Sequence, residues 1–442
     1  MVLSVAIVGG GVGGLTAAIA LRRHPGVSVQ VYERATEFRE IGALIGMAPN
    51  GQRTLEKLGV TETLTDEAGW RSPNGVPMCF RHYKTDDLLS QDFHHHVPDR
   101  RHQFARMHRA KLQSALLQHL PRDILHLGKR CTGVDVDEHG ATVRFDDGTV
   151  ARADLVVGAD GIKSKVRAAF KPDHPLLWSG DAIFRTTFPY ELVADLPVAQ
   201  NSTHYQSPHG WIFATRIGSD EFGVTCSYHV DAVDRTSTAF RDIVWDVPAA
   251  VDDIRPVFRD FVAPIPAIID RIPEGSLRRY ANIVGAALDQ WTFRDRVVLL
   301  GDAAHTHGGA FAAGASLAID DAYTLYLAVR AVFAEAVPVA EPVDAAHIGR
   351  ALQLYEAARR PHAARMLALV HAERAKALAR DEKARLTGQP GETDEEFRQR
   401  WAARRDAVWL NEHDAEAAFR DVLEAQTQGA KKAQSNGTTE GH

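Results

Sequence analysis

Apolar residues in this chain fall into short continuous runs rather than long spans. VLSVAIVGG at the start is a β-branched run that ends in glycine, Leu15 to Arg23 has helical composition, and Ser28 to Tyr32 returns to strand-like residues. That order predicts a βαβ unit at the beginning of the chain. ADLVVGADG (153–161) and RVVLLGDAAH (296–305) repeat the apolar-run-then-glycine pattern. Both predict parallel strands buried on two faces and ending at ligand-facing turns. Between 176 and 285 the pattern changes to alternation with prolines and aromatics, as in 210–217 and 222–230, which predicts antiparallel strands. From Ile348 to about Gln426 the residues are rich in Ala, Glu and Arg at helical spacing, and a polar tail from 428 is expected to be disordered.

The class is therefore α/β, with a Rossmann-type domain that starts at residue 1, is interrupted by a mostly β insertion, and resumes. The expected segments are 1–75, 101–175 and 286–365 for the first domain, 76–100 and 176–285 for the mixed-sheet substrate domain that roofs it, 366–427 for C-terminal helices, and 428–442 for the tail. Val2 to Leu21 is apolar enough to imitate a signal peptide, but it lacks a basic leader and five glycines interrupt it, so strand, turn and helix are the better reading. No other apolar run reaches the ~18 residues of a membrane span.

Charge and cysteine content narrow the partners. A formal charge of −6 offers no broad attraction to nucleic acid or anionic lipid, which leaves a small molecule as the expected partner. Three cysteines, Cys79, Cys131 and Cys226, are an odd number without CxxC spacing, against a disulfide framework or a zinc site and in favour of a cytoplasmic location. His94, His95 and His96 lack metal-ligand spacing and are expected on a solvated loop, so no metal is assigned. GxSxG is absent, which removes an α/β-hydrolase reading. A monomer and a homodimer are equally compatible.

Gly9, Gly11 and Gly14 form GxGxxG after a strand and at the mouth of a helix. The first permits the turn, the second lets a pyrophosphate approach, and the third packs helix on strand. Glu33, followed by Arg34, stands at the end of the second strand, 19 residues past the last of these glycines, and is placed to bind an adenosine ribose. These features do not separate FAD from NAD.

GADGIKSKVR (158–167) and GDAAH (301–305), in that order after GxGxxG, resemble the flavoprotein aromatic hydroxylases, the salicylate hydroxylase-like group with its glutathione-reductase-type FAD fold. Residues 39–60 and HRAKL (108–112) extend the resemblance over roughly residues 1–370. It implies FAD as cofactor, with Glu33 on the ribose, Gly46 and Arg109 along the cofactor, Asp302 on the ribityl chain and Asp160 serving both FAD and the pyridine nucleotide. Without a second GxGxxG, NADH or NADPH is expected to bind transiently, reduce the flavin and leave. Reduced flavin and O2 then give a C4a-hydroperoxide that attacks a small phenolic or aromatic-acid substrate.

The dipole of the helix from about Ala312 is expected to face the flavin, with Gly314 and Ala315 against the ring. Here the chain departs from the family it resembles. THGGAFAAGAS places Gly309 where the family commonly has proline and lacks the Gln-Gly pair, which leaves room for a dearomatising hydroxylase, an epoxidase or a Baeyer–Villiger-type monooxygenase. Arg185 is the candidate for holding a phenolate or carboxylate, against a structural salt bridge. His307 is the candidate proton relay, Tyr205 and His209 are further pocket candidates, and His305 is read as structural.

Overall fold

A computed structural model describes residues 2–38, 44–229, 246–333, 344–405 and 407–437. The predicted βαβ unit forms from strand Leu3–Val8, helix Val12–Leu21 and strand Val27–Tyr32. Leu3–Val8 lies between Val27–Tyr32 and Leu155–Gly158, and Val297–Leu299 continues the sheet beyond Leu155–Gly158; all these pairs are parallel. Leu155, Val156, Val157, Val297, Val298 and Leu299 are all completely buried, the burial on two faces that their uninterrupted apolar runs require.

The segment 176–285 folds into most of a second sheet of eight strands. Its order is Val247–Pro248, Arg278–Gly285, Leu176–Pro189, Glu221–His229, Gly210–Ile217, Thr203–Gln206, Cys79–His82 and Leu88–Gln91. Thr203–Gln206 and Cys79–His82 run parallel; the other neighbours are antiparallel.

Strand alternation divides this sheet into two faces of different chemistry. Phe184, Phe222, Val224, Cys226, Ile212, Ala214 and Tyr205 form one core with Ile254, Phe258, Ile265 and Ile268 from the short helical segments after 250. On the other face, cross-strand register sets Arg278, Arg185, Thr225, Phe213, His204 and Phe80 in a single transverse row. A three-stranded sheet of Leu44–Met47, Ala105–His108 and Gly69–Trp70 sits beside that face, with Gly218 N donating to Arg106 O.

The C-terminal helices are longer than expected. Ala345–Thr387 starts at Asp344, whose side chain accepts from Ala346 N, and ends at Gly388 in the left-handed region. The last helix runs Ala415–Gly437, so the tail expected to lack structure from 428 is helical for another ten residues. Residues 438–442 lie outside the described part.

Tyr205 is a correction to the pocket assignment. It is 3% exposed in the core face, and its hydroxyl donates to Asp86 Oδ1 at 2.9 Å. Burial first, then Asp86, pushes its pKa upward. One residue of strand parity separates it from the row on the opposite face, which takes His204 instead. Tyr205→Phe is therefore expected to leave turnover unchanged while lowering stability by about 1 kcal/mol, the worth of one hydrogen bond, in paired thermal melts and kinetic assays.

Candidate functional site

The three glycine-containing turns converge at one end of the parallel sheet. A Cβ on Gly14 would lie 1.9 Å from Gly9 O, and one on Gly9 would lie 2.3 Å from Ala159 O, so the first two turns pack backbone on backbone. Leu300 N donates to Gly158 O, and a Cβ on Gly13 would meet Leu300 Cδ1 at 2.7 Å, which brings the third turn against both. By contrast, nothing lies within 4 Å of a Cβ on Gly11. That open space at the N-terminus of helix Val12–Leu21, which no side chain caps, is where a pyrophosphate fits.

Glu33 lies at this mouth. Its carboxylate accepts from Gly10 N at 2.7 Å and Ala35 N at 2.9 Å, which fixes it beside the turn. Arg34 and Arg109 are both exposed. Asp160 is used differently from the expectation of direct cofactor contact. Its oxygens accept from Ser164 Oγ, Lys165 N and Val166 N, so this carboxylate caps helix Lys165–Phe170, and the turn it stiffens presents backbone to the site. Asp302 has the opposite arrangement. No cap bond uses its side chain, which leaves the carboxylate available for ribityl hydroxyls.

Two groups without an assigned role in the sequence hold these turns. Arg167 Nη1 donates to Ala303 O at 2.9 Å and its Nη2 to Ile162 O, tying the second turn to the third. Asp321, completely buried, accepts from Gly301 N at 2.9 Å, is 2.7 Å from His305 Nε2 and pairs with Arg359 Nε at 2.8 Å. Burial by itself raises the Asp321 pKa, but His305 and Arg359 outweigh it and hold the carboxylate well below its usual range. His305 is thus structural, as read from the sequence.

The loop between His305 and the next helix closes the site. The helix is Gly314–Val332, starting two residues later than expected, because 310–312 form a 3-10 turn. No side chain caps its N-terminus, so its positive end is free to face the flavin. Phe311 and Ala312 have φ of 58° and 51°, an uncommon region for side-chain-bearing residues. The Phe311 side chain packs into the cluster of Ala313, Leu317, Met366, Leu367 and Leu410. Ala312 Cβ would come 3.0 Å from a Cβ on Gly46 and Phe104 Cε1 2.8 Å from it, so only glycine fits at 46.

Arg185 points to this loop from the sheet: a Cβ on Gly309 would lie 3.5 Å from its Nη2. Its guanidinium is 5.4 Å from the Tyr280 ring centroid. No carboxylate pairs with it among the described residues, so the salt-bridge alternative has no partner. Burial, and beyond it the like charge of Arg109, lowers its pKa. His307 is 3% exposed, neither ring nitrogen has a partner, and its Nε2 is 3.1 Å from a Cβ on Gly314. Burial lowers its pKa, against Asp302, and keeps the ring neutral at neutral pH. Ala315 is the second residue of the helix. His209 is exposed at a hairpin end, with its amide on Ser207 Oγ.

The histidine run is not one solvated loop. His95 and His96 are exposed with their amides on Glu412, whereas His94 is half-buried and its Nε2 accepts from Phe104 N. Residues 39–43 of the family-like stretch 39–60 lie outside the described residues.

Residues 2–238 and 272–369 match the family model described as the FAD binding domain. The chain belongs to that family. The open space at Gly11, the uncommitted Asp302 carboxylate and the uncapped helix at Gly314 all fit FAD. The chain is 29% identical over 350 residues to 3-amino-4-hydroxybenzoate 2-monooxygenase of Streptomyces platensis, covering 73% of this chain and 78% of the relative. It is 31% identical over 323 residues to aurachin C monooxygenase/isomerase of Stigmatella aurantiaca, covering 73% and 79%. A substrate complex of salicylate hydroxylase has the same fold, with TM-score 0.76 at 21% identity over 95% of this chain and 98% of that one. The salicylate hydroxylase-like resemblance is borne out.

Asp302→Ala is expected to weaken FAD retention at least tenfold with the apoprotein melt unchanged, as read by flavin fluorescence on dilution. Asp321→Asn should do more, because Arg359 is left as an uncompensated buried charge at a cost of about 3–5 kcal/mol. A melting temperature equal to that of the parent protein would refute the second.

Proposed function

We propose that the chain is an FAD-dependent aromatic monooxygenase that hydroxylates a small phenolic or aromatic-acid substrate, with NADH or NADPH as reductant and O2 as oxidant. One oxygen atom is inserted into a ring C–H bond to give C–OH, and the other leaves as water, with NAD(P)H supplying a hydride and solvent one proton. Bound FAD supplies the redox chemistry between the nucleotide, O2 and the ring. The observation that carries this reading is the convergence of the three turns beneath a sheet face that presents Arg185 without a counter-charge.

The chain's own residues bind, orient and move protons. Arg185 holds a phenolate oxygen, because a fixed planar cation stabilises the ionised ring that attacks an electrophilic oxygen. His307, kept neutral by burial, accepts the phenolic proton as a general base. Phe311 and Ala312 shape the loop that leads into helix Gly314–Val332, whose uncapped positive end would stabilise negative charge on a reduced cofactor held there.

A second reading, dearomatising hydroxylation, epoxidation or Baeyer–Villiger-type insertion, is favoured by the departure at Gly309 to Ala313 and by the monooxygenase/isomerase among the relatives. Product mass and ring absorbance separate the two readings.

Purified protein is expected to be yellow with absorbance near 450 nm, and substrate to accelerate NAD(P)H oxidation with matching O2 uptake. Arg185→Ala should cut turnover by tenfold or more while the bound-flavin spectrum is retained. Normal kinetics in that variant would remove Arg185 from the reaction.

A further inference from the structure

Arg106 is a buried cation with no carboxylate paired to it among the described residues. It is 2% exposed, on strand Ala105–His108, and stands opposite Gly46 in the register. Its guanidinium lies over the Phe104 ring at 4.0 Å, with the Phe213 ring at 5.4 Å. Nη2 donates to Pro77 O at 2.9 Å, whereas Nη1 is buried without an acceptor. Asp92 is the one carboxylate with an influence on its charge, and Asp92 is already paired with Arg404. Burial lowers the Arg106 pKa to about 9, so the group remains a cation at neutral pH. Its neighbours supply no negative charge: His94 and His204 are pushed down to about 4 and about 3, chiefly by burial, and both are neutral.

The place of this cation is informative. Phe104, on which it stacks, meets Gly46 at the edge of the site, where Ala312 of the loop also approaches. Phe213, its other ring neighbour, belongs to the same transverse row as Arg185, with Thr225 between them. Two strand spacings, roughly 10 Å, separate Phe213 from Arg185 across the sheet. The two cations therefore stand near separate positions of one sheet face rather than sharing one anion. An unpaired N–H edge on a buried guanidinium is unfavourable unless a ligand completes it, and the planar fork suits a carboxylate.

We propose that Arg106 is a specificity-determining residue that binds the carboxylate of an aromatic-acid substrate through its unpartnered Nη1, beside Phe104, Phe213 and His204, while Arg185 faces the ring hydroxyl. This inference rests on the hydroxylase reading and narrows its substrate class to acids. Removing Arg106 lowers affinity for the acid and leaves affinity for the uncharged carboxamide unchanged.

The test uses FAD-loaded enzyme. 3-Amino-4-hydroxybenzoate, salicylate and 4-hydroxybenzoate are each titrated against their carboxamides, with the bound-flavin spectrum as signal. At least one acid is expected to bind tenfold or more tightly than its amide, and Arg106→Gln to bring that ratio near one with amide binding and the flavin spectrum unchanged. Arg185→Gln is expected to keep the ratio. No preference for any acid in the parent protein overturns the proposal, as does a ratio that survives Arg106→Gln or an equal loss of acid and amide, the signature of a structural role. Should Arg106→Gln fail to retain FAD, the ratio is read in Arg106→Lys, where a several-fold fall supports the proposal and an unchanged ratio overturns it. A parent protein that prefers acids but yields no oxygenated product defeats the hydroxylase reading and leaves the carboxylate site standing.

Discussion

Backbone packed directly on backbone is the constraint from which the rest of this molecule follows. Gly9, Gly14 and Ala159 approach so closely that a side chain at either glycine would overlap a carbonyl oxygen. Side-chain-free contact lets two strand ends and one helix start meet at a point. It leaves the helix terminus open for a phosphate. The third turn adds Asp302, and the buried Asp321, engaged by Gly301, His305 and Arg359, fixes where that carboxylate stands.

Beside this cradle the protein has arranged arginines that no carboxylate pairs among the described residues. Burial and the like charge of Arg109 depress the pKa of Arg185, and Arg106 lies nearby without a paired carboxylate among the described residues. Like charges held together raise the energy of the ligand-free site and reward an anionic occupant. The neutral His204, His94 and His307 leave that polarity undiluted at neutral pH. A cleft of this kind suits phosphates at one end and ionised aromatic rings at the other.

The loop at 308–313 departs from the motif of the family the chain resembles, and its backbone is strained. Left-handed conformation costs roughly 1–2 kcal/mol for a residue with a side chain, and here both Phe311 and Ala312 adopt it. The Phe311 ring is held by Met366 and Leu410 from two C-terminal helices, so burial offsets the strain. This contact gives those helices a direct hold on the loop that precedes helix Gly314–Val332.

The cofactor cradle was legible in the sequence because its determinants are local. A glycine required by a tight turn, an acid at the end of the next strand, and an apolar run buried on both faces are each written in a few adjacent residues. Strand parity and distant pairing are not. Tyr205 and His204 differ by one position, and only the register of four neighbouring strands decides which faces the site. Arg106 is one arginine among many until folding buries it between two aromatic rings, and Asp321 meets Arg359 across 38 residues of chain. The sequence alone determined that the chain cradles a dinucleotide, since that depends on backbone shape at short range, and its later motifs pointed to FAD through their resemblance to a known family. Tertiary packing decided which side chains meet the substrate, since burial and pairing are set by contacts between residues far apart in the chain.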